Sequence, residues 1–180
     1  MTRAVRLAAA LGVAALVAAC AQFEPRPPDG PLEFQLTGRL AARYEAESFT
    51  GNVTWSHARQ GDEMLISSPL GQGVARILRD AEGVVLRTAE PREYRAADAE
   101  TLTQKALGFR LPLVGLGDWV RARPADGQPF HIERSPEGQV RVLEQQGWRI
   151  EYLEYEGARP KLMRLVYPGI ELRFAVTEWK

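Results

Sequence analysis

One cysteine and two histidines in 180 residues leave almost nothing from which to build a metal centre or a disulfide framework. A lone cysteine forms no intramolecular bridge, and with two histidines it falls short of the four ligands that a structural zinc site takes. Charge of one sign is missing as well: 23 Lys+Arg balance 23 Asp+Glu. With no basic stripe to follow a phosphate backbone, nucleic acid is excluded as an expected partner. Catalytic motifs are also absent. There is no Gly-x-Ser-x-Gly elbow, Walker loop or His-Glu-x-x-His, and Gly115-Leu116-Gly117 lacks the third glycine and the preceding strand of a dinucleotide fingerprint. His57 keeps phase with Val53 and Trp55, and His131 stands between Phe130 and Ile132, so both read as structural histidines. The carboxylate pairs Asp62-Glu63 and Glu154/Glu156 lie beside turns or at strand ends and read as solvated. No catalytic residue, metal or cofactor is expected, and the chain does not read as an enzyme.

What is present begins at the first residues. Arg3 and Arg6 precede the uncharged run Leu7–Ala19, rich in alanine and ending in small residues, which is the layout of a secretory signal peptide. As a helix those 13 residues reach about 20 Å at ~1.5 Å each, short of the ~30 Å bilayer core. The run is too short to stay as a membrane span. Leu16-Val17-Ala18-Ala19-Cys20 then resembles a bacterial lipobox, in which the cysteine becomes the lipid-modified first residue of the mature protein. That resemblance implies diacylglyceryl and N-acyl groups on Cys20. Several acyl chains at ~0.8 kcal/mol per buried CH₂ make a stable anchor where one chain does not. Ala21 follows where aspartate would retain a lipoprotein in the inner membrane of many Gram-negative bacteria, which points to the periplasmic face of the outer membrane.

Removing residues 1–19 takes away two arginines and no acidic residue, for a mature charge of about −2. Pro25, Pro27, Pro28 and Pro31 mark residues 20–32 as a lipidated cysteine on an extended tether. At ~3.1 Å per residue the tether lets the domain stand up to ~35 Å off the bilayer. A working domain spans residues 33–180, preceded by the 1–19 signal peptide.

Within that domain the dominant period is two. Phe34, Leu36, Leu40, Ala42 and Tyr44 fall on even positions with polar residues between them, and Phe49, Val53 and Trp55 fall on odd ones. Further strands are predicted at Met64–Ser67, Val74–Leu78, Val84–Thr88, Gln139–Glu144, Trp148–Tyr155, Leu162–Tyr167 and Ile170–Val176, with turn residues between them. Half-polar strands at short spacing predict antiparallel meanders, because parallel sheets need crossover helices and read as unbroken apolar runs. One amphipathic helix is predicted over Ala96–Leu107, with Asp98 as N-cap and Gly108 just past its end. The apolar segment Phe109–Val120 is interrupted by Pro112, Gly115 and Gly117 and reads as a loop, with one short helical turn near Asp118–Arg121. In Ser68-Pro69-Leu70-Gly71, a leucine occupies a turn position that usually carries a polar residue. The pattern leaves open whether Leu70 folds into the core or projects.

Taken in order, the landmarks resemble the LolB family of Gram-negative outer-membrane lipoprotein receptors. They are Leu36-Thr37-Gly38-Arg39-Leu40, Gly51-Asn52-Val53-Thr54-Trp55, Ser68-Pro69-Leu70-Gly71, Gly108–Leu113 with Trp119 downstream, Gln146-Gly147-Trp148, Pro160-Lys161-Leu162 and Trp179. The family often shows a glycine shortly after the tryptophan that Trp119 matches, where this chain has Arg121-Ala122-Arg123, and its Leu-Pro before the penultimate strand is reduced to Arg159-Pro160. The resemblance implies a mainly β fold: an unclosed antiparallel β-barrel whose apolar cavity is partly covered by helical segments. It implies a monomeric receptor that takes acylated lipoproteins from the soluble periplasmic carrier LolA and inserts them into outer-membrane lipid. It further implies that Leu70, flanked by Pro69 and Gly71, projects from the domain as a membrane insertion loop. Trp55, Trp119 and Trp148 are the candidates for the acyl-chain lining. The alternatives are a lipid-binding or chaperone lipoprotein of similar fold without insertion activity, and a structural lipoprotein with a filled core.

Overall fold

The computed structural model describes residues 27–89, 92–99, 101–103 and 113–180; Cys20, most of the tether and Gly108–Pro112 lie outside the described residues. Eleven strands form one antiparallel sheet. They are β1 (Leu32–Tyr44), β2 (Glu47–Ala58), β3 (Gly61–Ser67), β4 (Gly73–Asp80), β5 (Gly83–Thr88), β6 (Glu93–Ala96), β7 (Phe130–Arg134), β8 (Val140–Gln145), β9 (Trp148–Glu156), β10 (Arg159–Tyr167) and β11 (Ile170–Trp179). Their order is β6-β5-β4-β3-β2-β1-β11-β10-β9-β8-β7. Two meanders are thus joined where the first long strand meets the last, from Leu36 opposite Trp179 to Tyr44 opposite Ile170. The edge strands β6 and β7 do not pair with each other, so the barrel is unclosed.

Period-two patterning produces this sheet directly. Phe34, Leu36, Val53, Trp55, Leu172, Phe174 and Val176 turn inward and are buried, while Arg39, Arg43 and Arg173 face outward and are exposed. At the register Leu36 opposite Trp55, one buried residue meets another across β1 and β2, as a half-wet sheet requires. Every strand predicted from alternation is present. The two edge strands β6 and β7 were not predicted. They are short and carry one or two inward apolar residues each, Tyr94 and Ala96 in β6 and Ile132 in β7, too little to register as a period.

The helical predictions need correction at their boundaries. Ala96 closes β6, and the helix begins after Asp98, whose Oδ1 accepts the Thr101 N–H at 2.7 Å. Ala99 and Leu102 of this turn are buried in the core; the rest of the predicted helix, with Gly108, lies outside the described residues. The segment read as a loop is instead a helix, α1 (Leu113–Trp119), that runs through Gly115 and Gly117. Among the described residues the helical cover is therefore minor.

Gly117 explains why a helix tolerates two breakers. A Cβ built on Gly117 would lie 2.9 Å from the His57 ring, so only glycine lets α1 sit this close to the sheet. The helix ends in a Schellman arrangement, with Arg123 N–H on the Asp118 carbonyl at 3.1 Å and Ala122 N–H on Trp119 at 3.0 Å. Ala122 holds a φ of 56°, the left-handed position that glycine more often fills. Gly117→Ala is expected to destabilise the fold by about 1–2 kcal/mol despite alanine's helix preference, because the added methyl must displace a fixed ring. Thermal denaturation of the variant checks this; a gain in stability would mean that α1 is free to slide.

Candidate functional site

Antiparallel alternation sorts the turns between two ends. The β1–β2, β3–β4, β5–β6, β8–β9 and β10–β11 turns share one end, called here the rim; the β2–β3, β4–β5, β7–β8 and β9–β10 turns share the other.

At the non-rim end lies a buried polar cluster that sequence reading missed. Asp62 is 3% exposed and its carboxylate accepts from Trp55 Nε1 at 2.8 Å, pairs with His57 Nδ1 at 2.6 Å and accepts from Arg79 Nε. His57 in turn stacks on Phe34, with ring centroids 4.8 Å apart, and carries α1 through Gly117. Asp62 and Glu63 were expected to be solvated. Both are buried, on opposite faces of β3: Asp62 turns inward in phase with Met64 and Ile66, and Glu63 on the other face pairs with Arg76 at 2.7 Å. Arg121, just past α1, closes the cluster: it donates to Glu33 at 2.6 Å, to the Gly117 carbonyl at 2.9 Å and to Asp118 at 3.0 Å. The hydrogen bond from Arg121 is the main cause holding the Glu33 carboxyl below the ordinary glutamate range. Stability from this pair is therefore present above that range and is lost as pH falls through the lowered value.

Toward the rim the interior is hollow. A cavity of about 360 Å³ lies between the inner faces of β1–β4, β10 and β11, lined by Leu40, Ala42, Phe49, Val53, Trp55, Met64, Ile66, Val74, Ala75, Ile77, Leu165, Leu172 and Phe174, with Leu116 of α1 and Val120 beyond it. Its volume is in the range of small-molecule sites. Tyr44, Glu47 and Ser48 also line it, and Glu47 and Ser48 are exposed, so the cavity reaches the surface beside the β1–β2 turn. Of the three tryptophans singled out, Trp55 is in this lining. Trp119 and Trp148 stand elsewhere. Leu116 of α1 and Val120 just past it are four residues apart and both face the cavity, whereas Trp119 is rotated roughly 60–100° from them, toward β8 and β9. Its Nε1 donates to Gln145 at 2.7 Å, its carbonyl accepts from Tyr152, and its ring lies 6.3 Å from Trp148.

The Leu70 turn rises from the cavity wall. Ile66 and Val74, both lining residues, flank it four positions away on either side. Gly71 N–H donates to the Ser68 carbonyl at 2.9 Å and Ser68 N–H to Gln72 at 2.8 Å. Pro69 suits the first inner position of the turn, and Gly71 takes a φ of 85° at the bulge position. Asn52 Nδ2 also holds the Ser68 carbonyl at 3.1 Å. A turn fixed at this many points presents Leu70 outward, 90% exposed.

Comparison with known proteins gives a family match over residues 32–179 to "Outer membrane lipoprotein LolB". An outer-membrane lipoprotein LolB from Thiobacillus denitrificans is 39% identical over 181 residues, covering 97% of each chain. One from Nitrosomonas europaea is 38% identical over 153 residues, covering 82% of this chain and 72% of that one. Among solved structures, a DUF1329 family protein from Desulfovibrio piger shares the fold with a TM-score of 0.50 at 9% identity, covering 82% of this chain and 84% of the other.

Proposed function

Because this chain belongs to the LolB family of outer-membrane lipoproteins, we propose that it receives acylated lipoproteins from a soluble LolA-type carrier and passes them into the outer membrane, where its own lipidated Cys20 holds it. The observation that supports this best is the pairing of an apolar cavity with an exposed leucine on a turn that grows from the cavity's wall. The cavity suits acyl chains. A chain in water costs ~0.8 kcal/mol per CH₂, so several together cost tens of kcal/mol and must pass from one apolar interior to the next without release. Transfer then requires mouth-to-mouth contact with the carrier and runs downhill if each successive site holds the chains better. Leu70 adds ~1.5–3 kcal/mol when buried, enough for a transient wedge in the bilayer surface and far less than an anchor. Pro69 and Gly71 set the turn that presents it.

Ala75 tests the cavity's role. It is half-buried, lines the cavity and pairs with Ile66 across β3 and β4. Ala75→Trp fills open space, so stability should change by less than about 1.5 kcal/mol, while affinity for a fluorescent acyl probe falls about tenfold or more, the equivalent of ~1.4 kcal/mol. Unchanged probe binding in the folded variant would place the acyl site elsewhere.

A further inference from the structure

Exposed large apolar side chains are scattered singly on most proteins. Among the described residues they are not evenly spread: of Leu32, Leu70, Phe130, Leu153 and Tyr167, three are at the rim. Leu70 tops the β3–β4 turn, Phe130 opens β7 opposite Gln145, and Tyr167 ends β10. Phe130 is 56% exposed and Tyr167 37%. Between them lies Trp148, whose ring is 5.2 Å from that of Tyr167 and which shares a shallow hollow with Phe130. The chemistry of the turns is equally lopsided. At the rim, Ser68–Gln72, Gln146-Gly147 and Pro168-Gly169 carry no charged residue, and neither do the strand residues that flank them. Each described turn at the other end carries or adjoins a charge: Arg59, Glu82, Glu137, and Glu156 with Arg159. The rim's exceptions are the β1–β2 turn, with Glu45 and the adjoining Glu47, and the β5–β6 turn, with Glu90, Arg92 and the adjoining Glu93.

We propose that Phe130 and Tyr167, backed by Trp148, form a second contact with the phospholipid surface, across the rim from Leu70. This rests on the insertion role given to Leu70 above. Along the curved sheet, Tyr167 on β10 is four strand places from β3 and Phe130 on β7 is seven, roughly 20–35 Å of arc at ~4.8 Å per strand. One inserted leucine leaves the domain free to pivot on its tether. Two contacts at that separation fix the rim against the bilayer, so that the cavity opening beside Tyr44 and Ser48 faces lipid when chains leave. An aromatic pair with one hydroxyl suits the interfacial zone, where ring and polar tip are both satisfied.

Cys20 is the chain's only cysteine, and its sulfur is blocked in the lipidated protein, so an introduced cysteine is a unique labelling point. Full-length lipidated protein carrying Leu70→Cys, Phe130→Cys, Tyr167→Cys or Glu82→Cys is labelled with an environment-sensitive fluorophore. Each variant is then reconstituted in phosphatidylethanolamine–phosphatidylglycerol vesicles containing brominated lipid. The expected result is quenching at 130 and 167 comparable to that at 70, with none at 82, which is at the opposite end. Quenching at 70 alone overturns the second contact and leaves the role of Leu70 standing. Quenching at 130 and 167 without 70 supports the contact and removes the role given to Leu70. If 130 and 167 respond to the carrier and not to lipid, the patch is a protein-docking surface and the proposal fails. Phe130 packs least and serves as the deciding position should the Tyr167 variant not fold.

Discussion

Leu70→Glu is expected to leave cargo uptake and thermal stability at wild-type values while delivery into the membrane falls by about 10- to 100-fold. The stability half follows from exposure: at 90% exposed, the side chain has no packing to lose, and such surface changes stay within about 0.5 kcal/mol. The delivery half follows from the wedge. Removing ~1.5–3 kcal/mol of apolar burial is worth about one to two powers of ten in the membrane-engaged population, and a carboxylate at the tip adds a desolvation cost. Labelled cargo separated into vesicle-bound and soluble fractions reads the effect. Delivery at the wild-type rate would favour a lipid-binding or chaperone lipoprotein of the same fold, which needs the cavity and not an outward leucine.

Asp62→Ala is expected to produce the largest loss of stability, about 3–5 kcal/mol, because it removes the carboxylate from the part-buried Arg79 cation and leaves two buried ring N–H groups without an acceptor. For a domain of this size that is a fall in Tm of roughly 6–20 °C, at ~2–4 °C per kcal/mol. Trp55, His57 and Arg79 all converge on the one carboxylate, and α1 rests on His57, so the loss should spread from the sheet to the helix beside the cavity. Asp62→Asn, which keeps the shape and one acceptor, is expected to lose less. A Tm within about 2 °C of wild type for Asp62→Ala would show that the cluster is solvated.

The strands of this fold were legible because burial on one face writes a period of two into the chain, as in Phe34, Leu36, Leu40, Ala42 and Tyr44. Where that pressure is weak the signal fades: β7 shows a single inward apolar packing residue, Ile132, and could not be read. Helix α1 was misread for the opposite reason, since Gly115 and Gly117 argue against a helix locally while the approach to His57 requires glycine. That requirement comes from a partner sixty residues away in sequence and is invisible in the window. Asp62 illustrates the same limit, because its proximity to a turn suggested water, and its partner Arg79 is 17 residues further on. For the cavity, strand phase shows that Trp55 and Trp148 both face inward. It does not show that α1 divides that interior, leaving Trp55 in the cavity and packing Trp148 against Trp119. The exposure of Leu70 was the most legible feature of the candidate site, since a leucine between Pro69 and Gly71 conflicts with the turn's own chemistry.

Under the proposed function, acylated cargo moves into this protein by direct exchange, driven by affinity alone. A LolA-type carrier loaded with a labelled triacylated lipoprotein, mixed with the full-length protein in the absence of nucleotide, tests it most directly. Cargo is expected to leave the carrier and remain with this protein until vesicles are added, with no return. Cargo that stays on a demonstrably active carrier, while this protein is folded, would contradict it.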